Sequence, residues 1–135
     1  MTIVVVCRAA ARQFDVDGFL ARHPELRPES VWRTGEQRSP RRVNDTSGFN
    51  VSLAEADRFA EALARTREAL DRLSPALKDL KAHDLEVEVD FGLMVGAEPA
   101  FTLGAQFAPE VLAWFSDRGL TLIVSAYPCS DEERS

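Results

Sequence analysis

Apolar and polar positions along this chain change period several times, and each change marks a predicted element. Residues 2–9 form an almost unbroken β-branched run through Ile3, Val4, Val5, Val6 and Cys7. That is the pattern of a strand buried on both faces or central in its sheet. Asp15 is placed to cap a short helix that carries Phe19 and Leu20 inward. His23-Pro24 stops it, because the residue before a proline avoids helical angles. Residues 31–34 have strand composition and end at Gly35. Residues 35–48 mix Gly, Pro, Ser, Asn and Asp with Arg38, Arg41 and Arg42, which predicts a loop. A short strand over residues 49–53 pairs back across it.

Ser52 and Glu55 have capping-box spacing. Ala56, Phe59, Ala60, Leu63, Leu70, Leu73 and Leu77 then fall on one helical stripe, predicting a long helix over residues 53–73. Ser74-Pro75 redirects it into a shorter helix over 75–82. Leu85, Val87, Val89 and Phe91 alternate with Glu86, Glu88 and Asp90, the signature of a strand with one buried and one acidic face. Residues 92–99 are rich in turn formers, and Phe101-Thr102-Leu103 is a candidate short strand. Pro109 opens a helix with Val111, Leu112, Trp114 and Phe115 on its buried side, and Gly119 sits where a left-handed C-cap belongs. A final strand spans 120–127. The predicted order is β-α-β-β-α(α)-β-α-β. The fold class is therefore α+β, a mostly antiparallel sheet with helices on one face: a ferredoxin-like βαββαβ core plus an appended αβ unit. One domain covers residues 1–130, and 131–135 form a polar tail.

Composition adds limits to this picture. A chain of 135 residues buries enough surface to fold without a disulfide or metal. The longest apolar run is far short of the ~20 residues that span a bilayer, and it lacks the flanks of a signal peptide, so a cytoplasmic protein is expected. Cys7 and Cys129 form no Cys-x-x-Cys pair and His23 and His83 stand alone, so no metal or cofactor is expected. The net charge is −6, unevenly divided. Residues 1–50 hold eight Arg against six acidic residues, whereas residues 51–135 hold eight basic against sixteen acidic. That balance disfavours general nucleic-acid binding and suits a basic protein partner.

The landmarks also resemble a known family. The apolar first strand, Phe14-Asp15 leading a short helix, Trp32-Arg33-Thr34-Gly35-Glu36, Gly48-Phe49-Asn50-Val51, Leu73-Ser74-Pro75 and Trp114-Phe115-Ser116-Asp117-Arg118-Gly119 before a strand ending in Tyr127 are similar to the bacterial domain-of-unknown-function family 4279. The likeness covers about residues 2–128. The chain departs from the pattern at His23-Pro24-Glu25-Leu26-Arg27-Pro28, where a short leucine-glycine stop is more usual. The resemblance implies a fold and a bacterial source, and no activity.

Two surfaces are candidates for function. The row Glu86, Glu88 and Asp90 puts three carboxylates on one strand face, suited to a guanidinium-rich or basic surface. Trp32, Arg33, Glu36, Arg41 and Arg42, with Arg38, form a segment able to stack on a ring and grip phosphate. His23 and His83 lack a neighbouring nucleophile, Cys7 is expected to be buried and inert, and no catalytic residue is assigned. The leading expectation is a non-enzymatic protein-binding domain, an immunity-type inhibitor presenting its acidic surface to a basic protein such as a toxin. By analogy, small acidic standalone domains are a common form of bacterial immunity protein. The alternative is a small-molecule or nucleotide-binding domain, with or without enzymatic activity, using residues 32–42. Oligomeric state is left open, with pairing through an exposed strand as a third possibility.

Overall fold

The computed structural model describes residues 2–96 and 104–129. Along the chain come β1 (Thr2–Ala11), α1 (Val16–Arg22), β2 (Ser30–Trp32), β3 (Gln37–Ser39), β4 (Arg42–Val43) and β5 (Ser47–Ala56). They are followed by α2 (Phe59–Arg72), α3 (Ser74–Ala82), β6 (Val87–Gly96), α4 (Pro109–Asp117) and β7 (Leu120–Cys129). The β-branched run of β1 does lie inside its sheet, antiparallel to β5 on one edge and to β6 on the other. β2 adds antiparallel outside β5, and β7 adds parallel outside β6, giving the order β2-β5-β1-β6-β7. β5 thus lies between β1 and β2, and β1 lies between β5 and β6. These two interleaved βαβ units are the ferredoxin-like core, and α4 with β7 is the appended unit.

The helices cover one face of this sheet. Ile3, Val5, Cys7 and Ala9 of β1 point into them and are buried, whereas Val4, Val6, Arg8 and Ala10 on the other face are half-buried. The core has an aromatic cluster at each end. Phe14, Phe19 and Phe49 meet with ring centroids 5.5–6.4 Å apart under α1. Phe59, Phe91, Phe107 and Phe115 pack edge-on or tilted at 5.2–6.2 Å under α2 and α4. Offset and edge-to-face rings of this kind add roughly 0.5–1.5 kcal/mol per pair beyond area burial. No helix among the described residues is long and apolar enough to cross a membrane.

The structure departs from the pattern-based expectation in four places. First, residues 53–56 belong to β5, and α2 starts at Phe59 without a side-chain cap. The register of β5 on β1 shifts between Val5 and Val6, so that Leu53 is an extra residue and both Leu53 and Ala54 are buried. A bulge that sends two successive residues inward breaks period two and imitates helical spacing. Pairing along β1 outweighs the weak helix propensity of Leu-Ala-Glu-Ala. Second, residues 92–96 continue β6, held by pairing to β1 and β7. Third, the loop over residues 35–48 contains the small hairpin of β3 and β4. Fourth, Leu112 is exposed; Trp114 is half-buried against the core as expected, and two guanidinium groups also lie over its ring, Arg118 at 3.6 Å and Arg67 at 5.0 Å from the centroid. The candidate strand at 101–103 and the tail at 131–135 lie outside the described residues.

One buried position in α2 is polar. Thr66 is fully buried on the inner face with Ala62, Ala69 and Leu70, and its hydroxyl has no hydrogen-bond partner among the described residues. An unpaired buried hydroxyl costs about 1–3 kcal/mol of desolvation, and valine has the same shape without it. Thr66→Val is therefore expected to raise unfolding stability by about 1 kcal/mol in urea titration. A loss of stability would show that the hydroxyl is satisfied.

Candidate functional site

The uncovered face of the sheet collects the polar side chains that the β1 alternation keeps out of the core. Residues directly opposite on neighbouring strands share a face. The register places Ser30 opposite Asn50, Asn50 opposite Arg8, Arg8 opposite Glu88, and Glu88 opposite Thr121. One polar rung therefore crosses all five strands, with Arg8 at its middle. Beside it, Trp32 lies opposite Gly48. A Cβ at Gly48 would come within 2.5 Å of the Ala9 carbonyl oxygen and 2.8 Å of Trp32 Cζ2. Glycine is what lets the indole lie down on β5, and Trp32 Nε1 donates to Thr46 Oγ1 at 3.1 Å to hold it there.

Between this face and the β3–β4 hairpin is a groove of about 610 Å³ walled by Arg8, Ser30, Trp32, Arg38, Asn44 and Asn50. A second recess of about 490 Å³ shares Trp32, Arg38 and Asn44 and adds Arg41, Arg42 and Asp45. Arg8 is held from one side by Asp90, Nη2 to Oδ2 at 3.6 Å. Asp90 is only 6% exposed, while the Arg8 side chain is 35% exposed and faces the groove. Two buried oxygens here, Asp90 Oδ1 and Asn50 Oδ1, have no hydrogen-bond partner among the described residues. An acceptor left unpaired in a low-dielectric setting is costly unless a ligand or water supplies the missing donor.

The residues singled out in the sequence meet different fates. Glu86 is exposed and accepts a hydrogen bond from Thr121 Oγ1 at 3.2 Å, Glu88 is half-buried in the rung, and Asp90 is buried against Arg8. Glu88 and Asp90 share one face of β6, Glu86 precedes the strand, and the three do not form one evenly exposed acidic row. Trp32 is part of the groove. Arg33 and Glu36 are not: Arg33 donates to Asp17 at 2.7 and 2.8 Å and lies 3.6 Å from Glu36, tying α1 to the turn after β2. The hydrogen bond from Arg33 holds the Asp17 carboxyl below its ordinary range. Arg41 and Arg42 are exposed, and with Arg38 they make no ion pair among the described residues. Sequence reasoning missed Arg8 and Asn50. The signal for Arg8 was present, a lone cation directly after five apolar residues of a central strand.

A second polar cluster joins the ends of α1 and α3. His23 Nε2 lies 2.6 Å from Asp79 Oδ2, Arg22 Nη2 is 3.1 Å from the same oxygen, and His83 Nδ1 is 3.1 Å from Asp79 Oδ1. The isolated histidines of the sequence thus converge on one carboxylate. The hydrogen bond with His23, then that from Arg22, lowers the Asp79 pKa against the opposing effect of desolvation. Among the described residues no group of histidine, cysteine and acidic side chains has the arrangement of a metal site. Cys7 is buried in the core, and burial pushes its thiol up to about 12, leaving it unreactive near neutral pH. No protein-family model, no curated protein and no solved structure matches the chain.

The two arginine pairs should respond oppositely to their apparent geometry. Arg33→Met removes short but exposed, solvent-screened hydrogen bonds and should leave stability nearly unchanged. Arg8→Met strands a buried carboxylate and should cost about 1–3 kcal/mol, largely recovered by adding Asp90→Leu. Urea titration of the three variants checks this, and equal losses for the two single variants would refute the ranking. Asp79 makes a pH prediction. Its folded pKa lies below the unfolded value of about 3.9, so its contribution is present above that pH and is lost as pH falls toward the folded pKa. Asp79→Asn should therefore flatten the acid limb of a melting-temperature-against-pH curve.

Proposed function

We propose that this protein is a ligand-binding module whose groove on the uncovered sheet face takes a small phosphorylated compound bearing a planar ring, of the nucleotide class. The observation that carries this reading is the Arg8–Asp90 pair on neighbouring strands of the open sheet face, with Arg8 lining a groove walled by Trp32. Asp90 lies 3.6 Å from Arg8 Nη2 on the buried side, and Arg8 has no other ion-pair partner among the described residues. Guanidinium groups favour phosphate and carboxylate because planar N–H pairs match their oxygens.

The remaining walls supply complementary contacts. Trp32 offers a ring face, and stacking of a base on such a face is worth roughly 1–3 kcal/mol. Arg38, Arg41 and Arg42 line the groove and its neighbouring recess without an ion-pair partner among the described residues, a local excess of positive charge on a chain of net charge −6. Small-ligand sites combine an apolar or aromatic wall with a few convergent polar groups in this way. The geometry favours this reading over an acidic docking surface for a basic inhibitor target, because the most buried carboxylate of that surface is engaged by Arg8.

ATP, ADP, AMP and inorganic phosphate are the probes. A ligand at about one hundred times its Kd stabilises the folded state by about 2.7 kcal/mol, which raises the melting temperature by several degrees. At least one nucleotide should do this and quench Trp fluorescence. Trp32→Leu and Arg38→Ala with Arg41→Ala should each abolish the shift while keeping the fold. No shift with any nucleotide at millimolar concentration would overturn the assignment.

A further inference from the structure

The helix-covered side of the sheet carries a recess whose chemistry differs from that of the Arg8 groove. Where α2, α3 and the end of α4 meet, a groove of about 430 Å³ has Leu70 and Leu77 in its wall and Lys78, Lys81, Asp117 and Arg118 around it. That volume falls in the range of small-ligand sites. Leu70 and Leu77 are buried and the four charged residues are exposed, so the groove runs from an apolar base to a charged rim.

Two of the cations are held by contacts of their own. Lys81 Nζ donates to the Gly119 carbonyl oxygen at 3.2 Å. Gly119, at φ +67°, leaves room for it: a Cβ there would come within 2.6 Å of Lys81 Cε and 2.9 Å of Nζ. An ammonium has three donors, and this bond uses one of them. Arg118 Nη1 donates to the Trp114 carbonyl oxygen at 3.0 Å, and its guanidinium lies over the Trp114 ring. Lys78 precedes Lys81 by three residues on α3, which puts the two on one helix face.

We propose that this groove binds an unbranched fatty acid, its carboxylate on the lysine rim and its chain over Leu70 and Leu77. Charge selects the occupant. Residues 51–135 hold eight basic side chains against sixteen acidic, yet three of the eight border this one groove. Asp117 on the rim, and Asp71 at 3.6 Å from Arg118, offset two of the three positive charges. The single positive charge that remains suits a monoanion rather than a dianionic phosphate. The buried leucines and the lysine methylene stems give an apolar chain a surface that a small free anion would not use. This site and the Arg8 groove lie on opposite sides of the sheet, so the failure of either assignment leaves the other standing.

Decanoate below its micelle concentration is the probe, with acetate and decyltrimethylammonium as controls for tail and charge. Isothermal titration calorimetry of the full chain should give one decanoate per chain, with weaker binding as sodium chloride is raised. Lys78→Met with Lys81→Met keeps both apolar stems. It should weaken binding by about tenfold or more and leave the circular dichroism spectrum unchanged. In the wild-type protein, methyl NMR should show decanoate moving the signals of Leu70 and Leu77 and not that of Val31. The proposal is overturned if decanoate fails to bind at millimolar concentration, or if acetate or the cationic amphiphile binds as tightly. Undiminished binding by the double variant would overturn it too, as would methyl shifts that bypass Leu70 and Leu77.

Discussion

The fold and the site both depend on one constraint, that β1 is hydrogen-bonded on both edges but covered by helices on only one face. Its inner residues Ile3, Val5, Cys7 and Ala9 are fixed against the core. A one-residue slip would bring Arg8 inward and carry the apolar set out, which holds the register. Because β1 is central, Val6 and Arg8 on its outer face near mid-strand lie toward the centre of the open sheet, and Arg8 is the charged one.

Arg8 changes the electrostatic meaning of the whole face. Alternation along β6 delivers Glu88 and Asp90 to the same side, and pairing with β1 brings Asp90 within reach of the guanidinium. What looks along the sequence like a row of carboxylates is therefore partly neutralised in space. The arginine lies between a buried acid and a groove. Trp32 is oriented by comparable means, a glycine beneath it and a threonine hydroxyl at its ring nitrogen.

The ends of the helices are held by polar contacts of a different kind. Asp79 gathers Arg22, His23 and His83 and so fastens α1 to α3, and Arg33 fastens α1 to the turn following β2 through Asp17. Both clusters lie near the surface, where solvent weakens such pairs. They tie α1 at its two ends over the Phe14, Phe19 and Phe49 cluster, whose burial supplies the larger stabilisation.

The sequence by itself determined the class of fold and most of its elements. The run at residues 2–9, the alternation at 85–91, Pro75 and Pro109 at helix starts and Gly119 with φ +67° are local signals, governed by side-chain period and backbone sterics. Tertiary structure alone decided the start of α2, because the bulge at Leu53 exists only when β5 is laid along β1. It also decided the site. Trp32 and the arginines of residues 38–42 were legible as chemistry, since composition reports which groups are available. Arg8, Asn50 and Asp90 come from three separate strands, and their meeting depends on register across the sheet, a long-range property that no window of the sequence contains.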